Sequence, residues 1–335
     1  MSTATSDDSQ QRQLTVAAAL NEALREEMAR DERVFVMGED VAVAGGVYKV
    51  TDGLLTDFGP ERVIDTPISE AGIVGLALGA AMTGRRPVVE IMFGDFLFLA
   101  MDQIVNQAAK VRYMSGGAWE APMVVRTTLG AGRRAAAQHS QSPHAMFAHI
   151  PGLKVVLPYD AADAKGMLKA AIRDNDPVLF FEDKLSYRQV GPVPAGEHLV
   201  PLGQAVVRRK GSDATIVATS SMVGVALAAA QRLSADAVEA EVVDLRSLAP
   251  LDSATVLDSV RRTRRCVVID EGHRRFGATA ELAATVAEAE FGNLLAPVRR
   301  LGAMDVPVPY SPTLEDLTVP NADQLVTTIH DLMAW

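Results

Sequence analysis

Residues 65–72 read Asp-Thr-Pro-Ile-Ser-Glu-Ala-Gly, and the pattern around them decides the fold class. A predicted strand ends at Asp65, a proline-led turn follows, and Glu70 stands at the beginning of a predicted helix at residues 71–83. Helix and strand patterns keep alternating along the rest of the chain, as they do in β-α-β units. The sequence therefore predicts an α/β fold with mainly parallel sheets.

The length of the chain indicates more than one domain. Its 335 residues exceed the size at which one hydrophobic core usually stops growing, which favours two α/β domains. A stretch rich in proline and glycine, with few helix or strand formers, separates the two alternating blocks. We predict four segments: a disordered tail at 1–12, a first domain at 13–190, a linker at 191–200 and a second domain at 201–335.

Three elements of the first block test this prediction best. Thr15 precedes a helical apolar pattern and is a suitable N-cap. Residues 34–37 are typical of a short buried strand, and residues 98–112 are typical of a helix.

Composition and charge exclude several classes of protein. A hydrophobic fraction of 48% supplies a packed core, and a net charge of −10 without a long basic run argues against nucleic-acid binding. No stretch approaches the roughly 20 apolar residues of a membrane-spanning helix, and the N-terminus resembles no targeting signal. The single cysteine, Cys266, cannot support a disulfide framework. We expect a cytoplasmic protein that binds neither membrane nor nucleic acid.

Several common catalytic motifs are absent. The chain has no Gly-x-Gly-x-x-Gly at a strand-to-helix turn, no phosphate-binding loop with Lys-Ser/Thr, and no Gly-x-Ser-x-Gly. His139, His144 and His149 recur every five residues, a spacing that turns successive helical side chains by roughly 140°. Such side chains cannot share one helix face, which argues against a histidine metal site.

Taken alone, Glu70 is an ordinary first-turn acid that matches the helix dipole. Its segment, however, resembles the β subunits of pyruvate, branched-chain 2-oxo acid and acetoin dehydrogenases, which depend on thiamine diphosphate. The resemblance extends over nearly the whole chain. Further stretches that carry it, in family order, are residues 38–41, 80–84, 102–104, 113–117, 137–141, 151–156, 171–177 and 305–310.

This resemblance implies a fold and an active site. The fold is a pyrimidine-binding α/β domain followed by a domain like the transketolase C-terminal domain. Glu70 matches the acid that hydrogen-bonds to the aminopyrimidine of thiamine diphosphate, Met92 and Phe96 match residues that pack against that ring, and His139 matches a histidine that assists proton transfers. Leu99 stands where many pyruvate-type members have glutamine.

Other interpretations of these residues are open on the sequence alone. Met92 and Phe96 are also typical of core residues at the end of a strand. His139 is equally consistent with a solvated loop histidine.

The resemblance also implies a potassium site near the end of a helix. Hard cations prefer oxygen ligands, which carbonyl groups and acids supply. The matching positions are Met123, Ala171, Ile172, Asp174 and Asp176.

A partner subunit follows from what this chain lacks. Thiamine enzymes bind the diphosphate through magnesium held by Gly-Asp-Gly and paired asparagines, whereas this chain has Gly94-Asp95-Phe96 and no Asn-Asn. The resemblance therefore implies that an α subunit holds magnesium, with thiamine diphosphate shared between the chains of an α2β2 heterotetramer.

The expected function is the oxidative decarboxylation of pyruvate or a branched-chain 2-oxo acid, with acyl transfer to the lipoyl group of a dihydrolipoyl acyltransferase core. The alternatives are an acetoin dehydrogenase β subunit and a non-catalytic scaffold subunit of the same fold. A stand-alone nucleotide-binding protein is a third alternative, against which the missing glycine turn argues.

Overall fold

The structure is a computed structural model that describes residues 12–335. The predicted disordered tail lies outside this range except for Arg12, which belongs to the first strand. No helix within residues 12–335 has both the length and the apolar composition required to cross a bilayer.

The first domain alternates strands and helices, as predicted. In chain order its elements are β1 (Arg12–Thr15), α1 (Val16–Arg30), β2 (Val34–Gly38), α2 (Leu54–Phe58), β3 (Val63–Asp65), α3 (Glu70–Met82), β4 (Arg86–Ile91), a 3-10 segment (Gly94–Ala100), a wider π-type segment (Asp102–Ala108), α4 (Ala109–Met114), β5 (Val124–Leu129), α5 (His144–Ala148), β6 (Lys154–Val156), α6 (Ala161–Arg173), β7 (Val178–Asp183), a short 3-10 turn (Ser186–Arg188) and β8 (Val190–Val193).

The second domain repeats this alternation. Its elements are β9 (Val206–Arg209), β10 (Ala214–Ala218), α7 (Met222–Ala235), β11 (Ala240–Asp244), β12 (Ser247–Ala249), α8 (Ser253–Thr263), β13 (Cys266–His273), α9 (Ala278–Glu290), β14 (Arg299–Ala303), α10 (Pro312–Thr318) and α11 (Ala322–Met333). Five of its strands form a sheet in the order β14-β13-β10-β11-β9, in which β9 runs antiparallel to β11.

The large sheet of the first domain is covered on both faces. Its strand order is β12-β6-β7-β5-β4-β2-β3, and every pair except β12 with β6 is parallel. Because side chains alternate along a strand, Val88 and Phe180 join the core beneath α1 and α6. Val89 and Phe181 join the core beneath α3 on the opposite face. The apolar strand runs in the sequence reflect this two-sided burial.

Local signals at the first helix and strand are confirmed. The Thr15 side chain accepts a hydrogen bond from the Ala18 amide at 3.1 Å and so caps α1. The predicted strand at 34–37 is β2, and the predicted helix at 71–83 is α3.

Two predictions about regular structure need correction. The predicted linker at 191–200 begins inside β8, which pairs antiparallel with β1, so Gly191 lies opposite Leu14 and Pro192 opposite Gln13. Proline is tolerated there because each strand of a two-stranded sheet has one free edge. At that edge no backbone amide has to donate a hydrogen bond to another strand. The predicted helix at 98–112 is helical throughout, but only Ala109–Met114 has regular α geometry. Irregular helical turns of this kind occur often at functional sites.

A buried polar pair joins the two domains. His144 of α5 lies 2.9 Å from the Asp270 carboxylate of β13, and the two side chains are 1% and 2% exposed. Asp270 also accepts hydrogen bonds from the Thr219 hydroxyl and, at 2.9 Å, from the Gly272 amide. His144 lowers the pKa of Asp270 against the opposing effect of burial, which is the larger single influence. In the same region β12, a strand of the second domain, pairs with β6 and so extends the sheet of the first domain.

We predict that Asp270→Asn weakens the folded chain by about 3 kcal/mol, because a buried pair that loses one partner leaves an uncompensated polar group. Chemical denaturation of the full chain measures this change. The matched control is Asp305→Asn, which breaks the exposed Asp305–Arg275 pair and should change stability little. Equal effects of the two substitutions would contradict the interdomain role of Asp270.

Candidate active site at the carboxyl edge of the first sheet

The predicted site residues follow the carboxyl ends of three parallel strands of one sheet. β3 leads to Glu70, β4 leads to Met92 and Phe96, and β5 leads to the loop that carries His139. Parallel α/β sheets place their binding sites at this edge. The topology therefore places three separate stretches of the sequence, which carry Glu70, Met92 with Phe96, and His139, at one edge of the sheet.

Glu70 has a second acid beside it. Glu70 begins α3 and is 8% exposed, and Glu39 follows the end of β2. Burial raises the pKa of Glu39, and the nearby Glu70 raises it further. Glu39 Oε1 and Thr66 Oγ1 are buried without a hydrogen-bond partner among residues 12–335. The unpaired Glu39 and Thr66 oxygens, next to the Glu70 carboxyl group, suit a ligand that donates hydrogen bonds, such as a ring nitrogen or an amine.

His139 lies in an aromatic cluster with Phe93 and Phe96. Its ring centroid is 4.9 Å from Phe93 and 5.4 Å from Phe96, and both contacts are edge-to-face. Met92 belongs to the same segment, where its carbonyl accepts a hydrogen bond from Thr128 Oγ1 at 3.0 Å. The structure thus brings Phe96 and His139 together, while Phe93 joins them without having been predicted.

Leu99 lies on the surface of this chain. It is 62% exposed, and other large apolar residues of the same domain are more exposed still: Ile68 at 81%, Tyr113 at 90% and Met114 at 74%. Large apolar side chains of this kind mark interaction surfaces when they are grouped.

The residues matched to a potassium site lie at the opposite, amino edge of the sheet. The carbonyl oxygens of Ile172 and Asp174 each accept a hydrogen bond from Arg86 at 2.9 Å. The Asp174 carboxylate lies 2.6 Å from the Lys154 ammonium group, and the Asp176 carboxylate lies 2.7 Å from Arg112.

The two other carbonyl oxygens of that set also have partners. Ala171 O accepts from the Asp174 amide at 3.2 Å, and Met123 O accepts from the Val178 amide at 3.0 Å. Side-chain cations pair with the two acids in this structure, and the potassium site stays a prediction.

A buried pair of acids lies beneath the start of the loop of residues 130–141, which we call the His139 loop. Glu271 of the second domain accepts hydrogen bonds from the Ala131 amide at 2.6 Å and from the Ser221 hydroxyl at 3.1 Å. Asp183, at the end of β7, is its neighbour across the domain boundary. Burial, and after it the charge of Asp183, raises the pKa of Glu271 to about 8.

Comparison with known proteins identifies the family. Residues 12–190 match the transketolase pyrimidine-binding domain, and residues 203–325 match the transketolase C-terminal domain. The chain is 50% identical over 319 residues to the pyruvate dehydrogenase E1 component subunit beta-2, mitochondrial, of Oryza sativa subsp. japonica, covering 94% of this chain and 85% of the relative. The chain belongs to the family of E1 β subunits of the 2-oxo acid dehydrogenases.

The name of another similar protein states a different activity. The chain is 48% identical over 334 residues to the acetoin:2,6-dichlorophenolindophenol oxidoreductase subunit beta of Bacillus subtilis (strain 168), covering 96% of this chain and 98% of the relative. Among solved structures, a split-gene transketolase described as an inactive β4 tetramer is similar, with a TM-score of 0.78 and 25% identity, over 96% of this chain and 98% of that one. The predicted two-domain fold and family are confirmed.

The acid pair beneath the His139 loop predicts a pH dependence of stability. The pKa of Glu271 is raised from 4.5 to about 8 in the folded chain, so its neutral form favours folding. This contribution is complete below about pH 4.5 and is lost as the pH rises through about 8. Glu271→Gln cannot ionise and keeps an oxygen for the Ala131 amide. Its melting temperature should therefore rise relative to that of the unsubstituted chain as the pH increases from about 5 to about 9.

Thermal unfolding of both chains across this pH range measures the difference. Glu290→Gln is a suitable control, because Glu290 is buried to a similar degree but is paired with Arg261 in the second domain. A constant difference between the Glu271→Gln chain and the unsubstituted chain at every pH would show that Glu271 is ionised in the folded state.

Proposed function

We propose that this chain, together with an α subunit, catalyses the thiamine-diphosphate-dependent oxidative decarboxylation of a 2-oxo acid, either pyruvate or a branched-chain acid. The acyl group is then transferred to the lipoyl group of a dihydrolipoyl acyltransferase. One observation carries the proposal: Glu70 with Glu39, and Phe96 with His139, follow adjacent strands at a single edge of the sheet.

Glu70 is the proposed partner of the cofactor's aminopyrimidine ring. Bound thiamine diphosphate supplies an electron sink for the charge left by loss of carbon dioxide. The Glu70 carboxyl group would hydrogen-bond to the ring nitrogen and share a proton with it, and the bound ring would then supply a base of its own. The low exposure of Glu70 keeps water from competing for this hydrogen bond.

Met92 and Phe96 orient the same ring, and His139 moves protons beside it. Met92 and Phe96 are both partly buried on the segment after β4, so each retains some surface for a ligand. The edge-to-face contacts of Phe93 and Phe96 fix the plane of the His139 imidazole. A fixed imidazole can deliver a proton to one substrate atom during decarboxylation and acyl transfer.

An α subunit supplies what this chain lacks. Asp95 of the Gly94-Asp95-Phe96 stretch is 7% exposed, and its Oδ1 accepts hydrogen bonds from the amide and the side chain of Gln141 at 3.3 Å and 2.9 Å. These contacts give Asp95 a structural role within the first domain. We therefore assign magnesium and the diphosphate group to the α subunit of an α2β2 heterotetramer. The similarity to a transketolase described as an inactive β4 tetramer supports the need for a second type of chain.

Acetoin is a second candidate substrate, because one of the most similar relatives is an acetoin oxidoreductase subunit. Both activities use the same carboxyl group at the aminopyrimidine. A scaffold subunit without catalytic residues would not depend on Glu70, so the next experiment separates it from both enzymes.

Glu70→Gln should slow turnover of the assembled enzyme by a factor of about 10² to 10⁴, because an amide cannot share a carboxyl proton with the ring nitrogen. The hydrogen-exchange rate of the thiazolium proton of bound thiamine diphosphate, measured in the assembly, should fall with it. Folding and association with the α subunit should remain almost unchanged.

Glu281→Gln is the matched control, since Glu281 is also a first-turn acid but belongs to α9, in the second domain. It should leave turnover and proton exchange as in the unsubstituted enzyme. If Glu70→Gln behaved like Glu281→Gln, Glu70 would be only a helix-terminus acid, which contributes well under about 1 kcal/mol of stability.

The isolated chain should bind thiamine diphosphate weakly, because its sequence lacks the Gly-Asp-Gly and paired asparagines expected of a magnesium site for the diphosphate. Calorimetric titration of the cofactor with magnesium, first into the chain alone and then into the chain with its α subunit, measures the difference. Micromolar or tighter binding to the chain alone would contradict the division of the cofactor site between two subunits.

A further inference from the structure

The loop that carries His139 is bound at its start by two acids of the second domain. The Ala131 amide donates to Glu271 Oε1 at 2.6 Å, and the Gly132 amide donates to Glu315 Oε1 at 2.7 Å. Gly130 and Gly132 have φ angles of +97° and +89°, in the left-handed region that favours glycine. The first turn of the loop is therefore shaped by glycine and fastened to another domain.

Glu315 makes a second contact with the same loop. Its Oε2 lies 2.7 Å from Arg134 Nη1, and the Glu315 side chain is 1% exposed. Arg134 also pairs with Asp316 at 2.6 Å, although that acid is largely exposed. Glu315 thus accepts one backbone and one guanidinium hydrogen bond from the loop, and hydrogen bonds to a carboxylate are among the stronger ones in proteins.

Lys184 holds the loop at His139 itself. Its ammonium group donates a hydrogen bond to the His139 carbonyl oxygen and lies 5.2 Å from the centre of the Phe93 ring. Two residues further on, Gln141 is bound by the Asp95 carboxylate. His139 is consequently restrained through its own backbone, through Gln141 and through the aromatic rings against its imidazole.

Lys184 differs from the other buried lysines of the first domain. Lys165 and Lys169 are also almost fully buried, and each pairs with two carboxylates. Lys184 is 2% exposed, and its ammonium group binds a backbone carbonyl. Burial lowers the pKa of Lys184, while the charges of four acids oppose this effect: Asp95, Glu271, Asp183 and Glu315. Burying an ammonium group costs free energy. The contact of the Lys184 ammonium group with the backbone of His139 therefore indicates a functional role.

We propose that Lys184 and Glu315 are positioning residues that hold the His139 loop, and with it the His139 imidazole, in place for proton transfer. Glu315 acts from the second domain, which contributes none of the expected catalytic residues. The proposal rests on the proposed function of His139. If the two residues stabilised only the fold, their loss would lower the melting temperature without a specific effect on the loop or on His139.

Hydrogen exchange of the full chain, measured by mass spectrometry, tests whether the loop is held. Lys184→Met keeps the length of the side chain and removes its donors, and Glu315→Gln weakens the contacts with Gly132 and Arg134. In both variants we expect peptides from residues 130–141 to exchange about tenfold faster or more, with little change elsewhere.

Lys169→Met is the control for the loss of a buried lysine, because Lys169 pairs with Glu26 and Glu197 on the α1–α6 side of the sheet. It should lower the melting temperature and leave exchange in the His139 loop unchanged. If loop exchange were also unchanged in the Lys184→Met and Glu315→Gln chains, the proposal would be wrong.

Turnover in the reconstituted assembly tests whether the contacts of Lys184 and Glu315 with the His139 loop contribute to catalysis. Lys184→Met and Glu315→Gln should each lower kcat by about 10- to 100-fold, the scale of a misplacement of about 1 Å. Exchange of the thiazolium proton should remain normal, since it depends on Glu70. Lys169→Met should keep the normal kcat.

A double substitution separates positioning from general destabilisation. His139→Ala alone should lower kcat by about 10² to 10⁴. Adding Lys184→Met to His139→Ala should cause no further loss, because both substitutions remove the same proton transfer. Additive losses would overturn the positioning role. A fully active His139→Ala enzyme would instead overturn the role proposed for His139, and the exchange data would then report separately whether the loop is held.

Discussion

The parallel pairing of the strands from β2 to β7 positions both the candidate site and the two hydrophobic cores of the first domain. Parallel strands place all their carboxyl ends along one edge of the sheet, so the segments that follow them share one region of the molecule. Glu70, Phe96 and His139 become neighbours of this edge although helices separate them in the chain. The same pairing requires helices on both faces, which explains why alternate residues of one strand enter opposite cores.

Buried polar groups govern the contact between the two domains. The His144–Asp270 pair, the Asp183–Glu271 pair and the Glu315 contacts are all nearly inaccessible to water. Apolar packing tolerates small shifts, whereas a buried charge that loses its partner is strongly destabilising. These groups therefore define the orientation of the second domain more sharply than hydrophobic contacts would. They also bring that domain into contact with the loop of the candidate site.

Elements with local signals could be predicted from the sequence, and elements that depend on distant pairing could not. The Thr15 cap and the strand at Val34–Gly38 follow from a few neighbouring residues. The strand at Val190–Val193 contains a proline and a glycine, and it forms only because Arg12–Thr15 lies beside it. Glu70 and His139 were found through the family resemblance, because on position alone each has an ordinary structural explanation.

Periodicity, capping and the order of the motifs depend on neighbouring residues, so the alternation of strands and helices, the two-domain α/β class and the family could all be predicted from the sequence. The charged groups around the candidate site could be identified only from the folded chain. Lys184 meets His139 across 45 residues, Glu271 meets Ala131 across 140, and Glu315 meets Gly132 across 183. In the sequence such residues look like any other lysine or glutamate, because their burial and their partners exist only once the two domains have packed together.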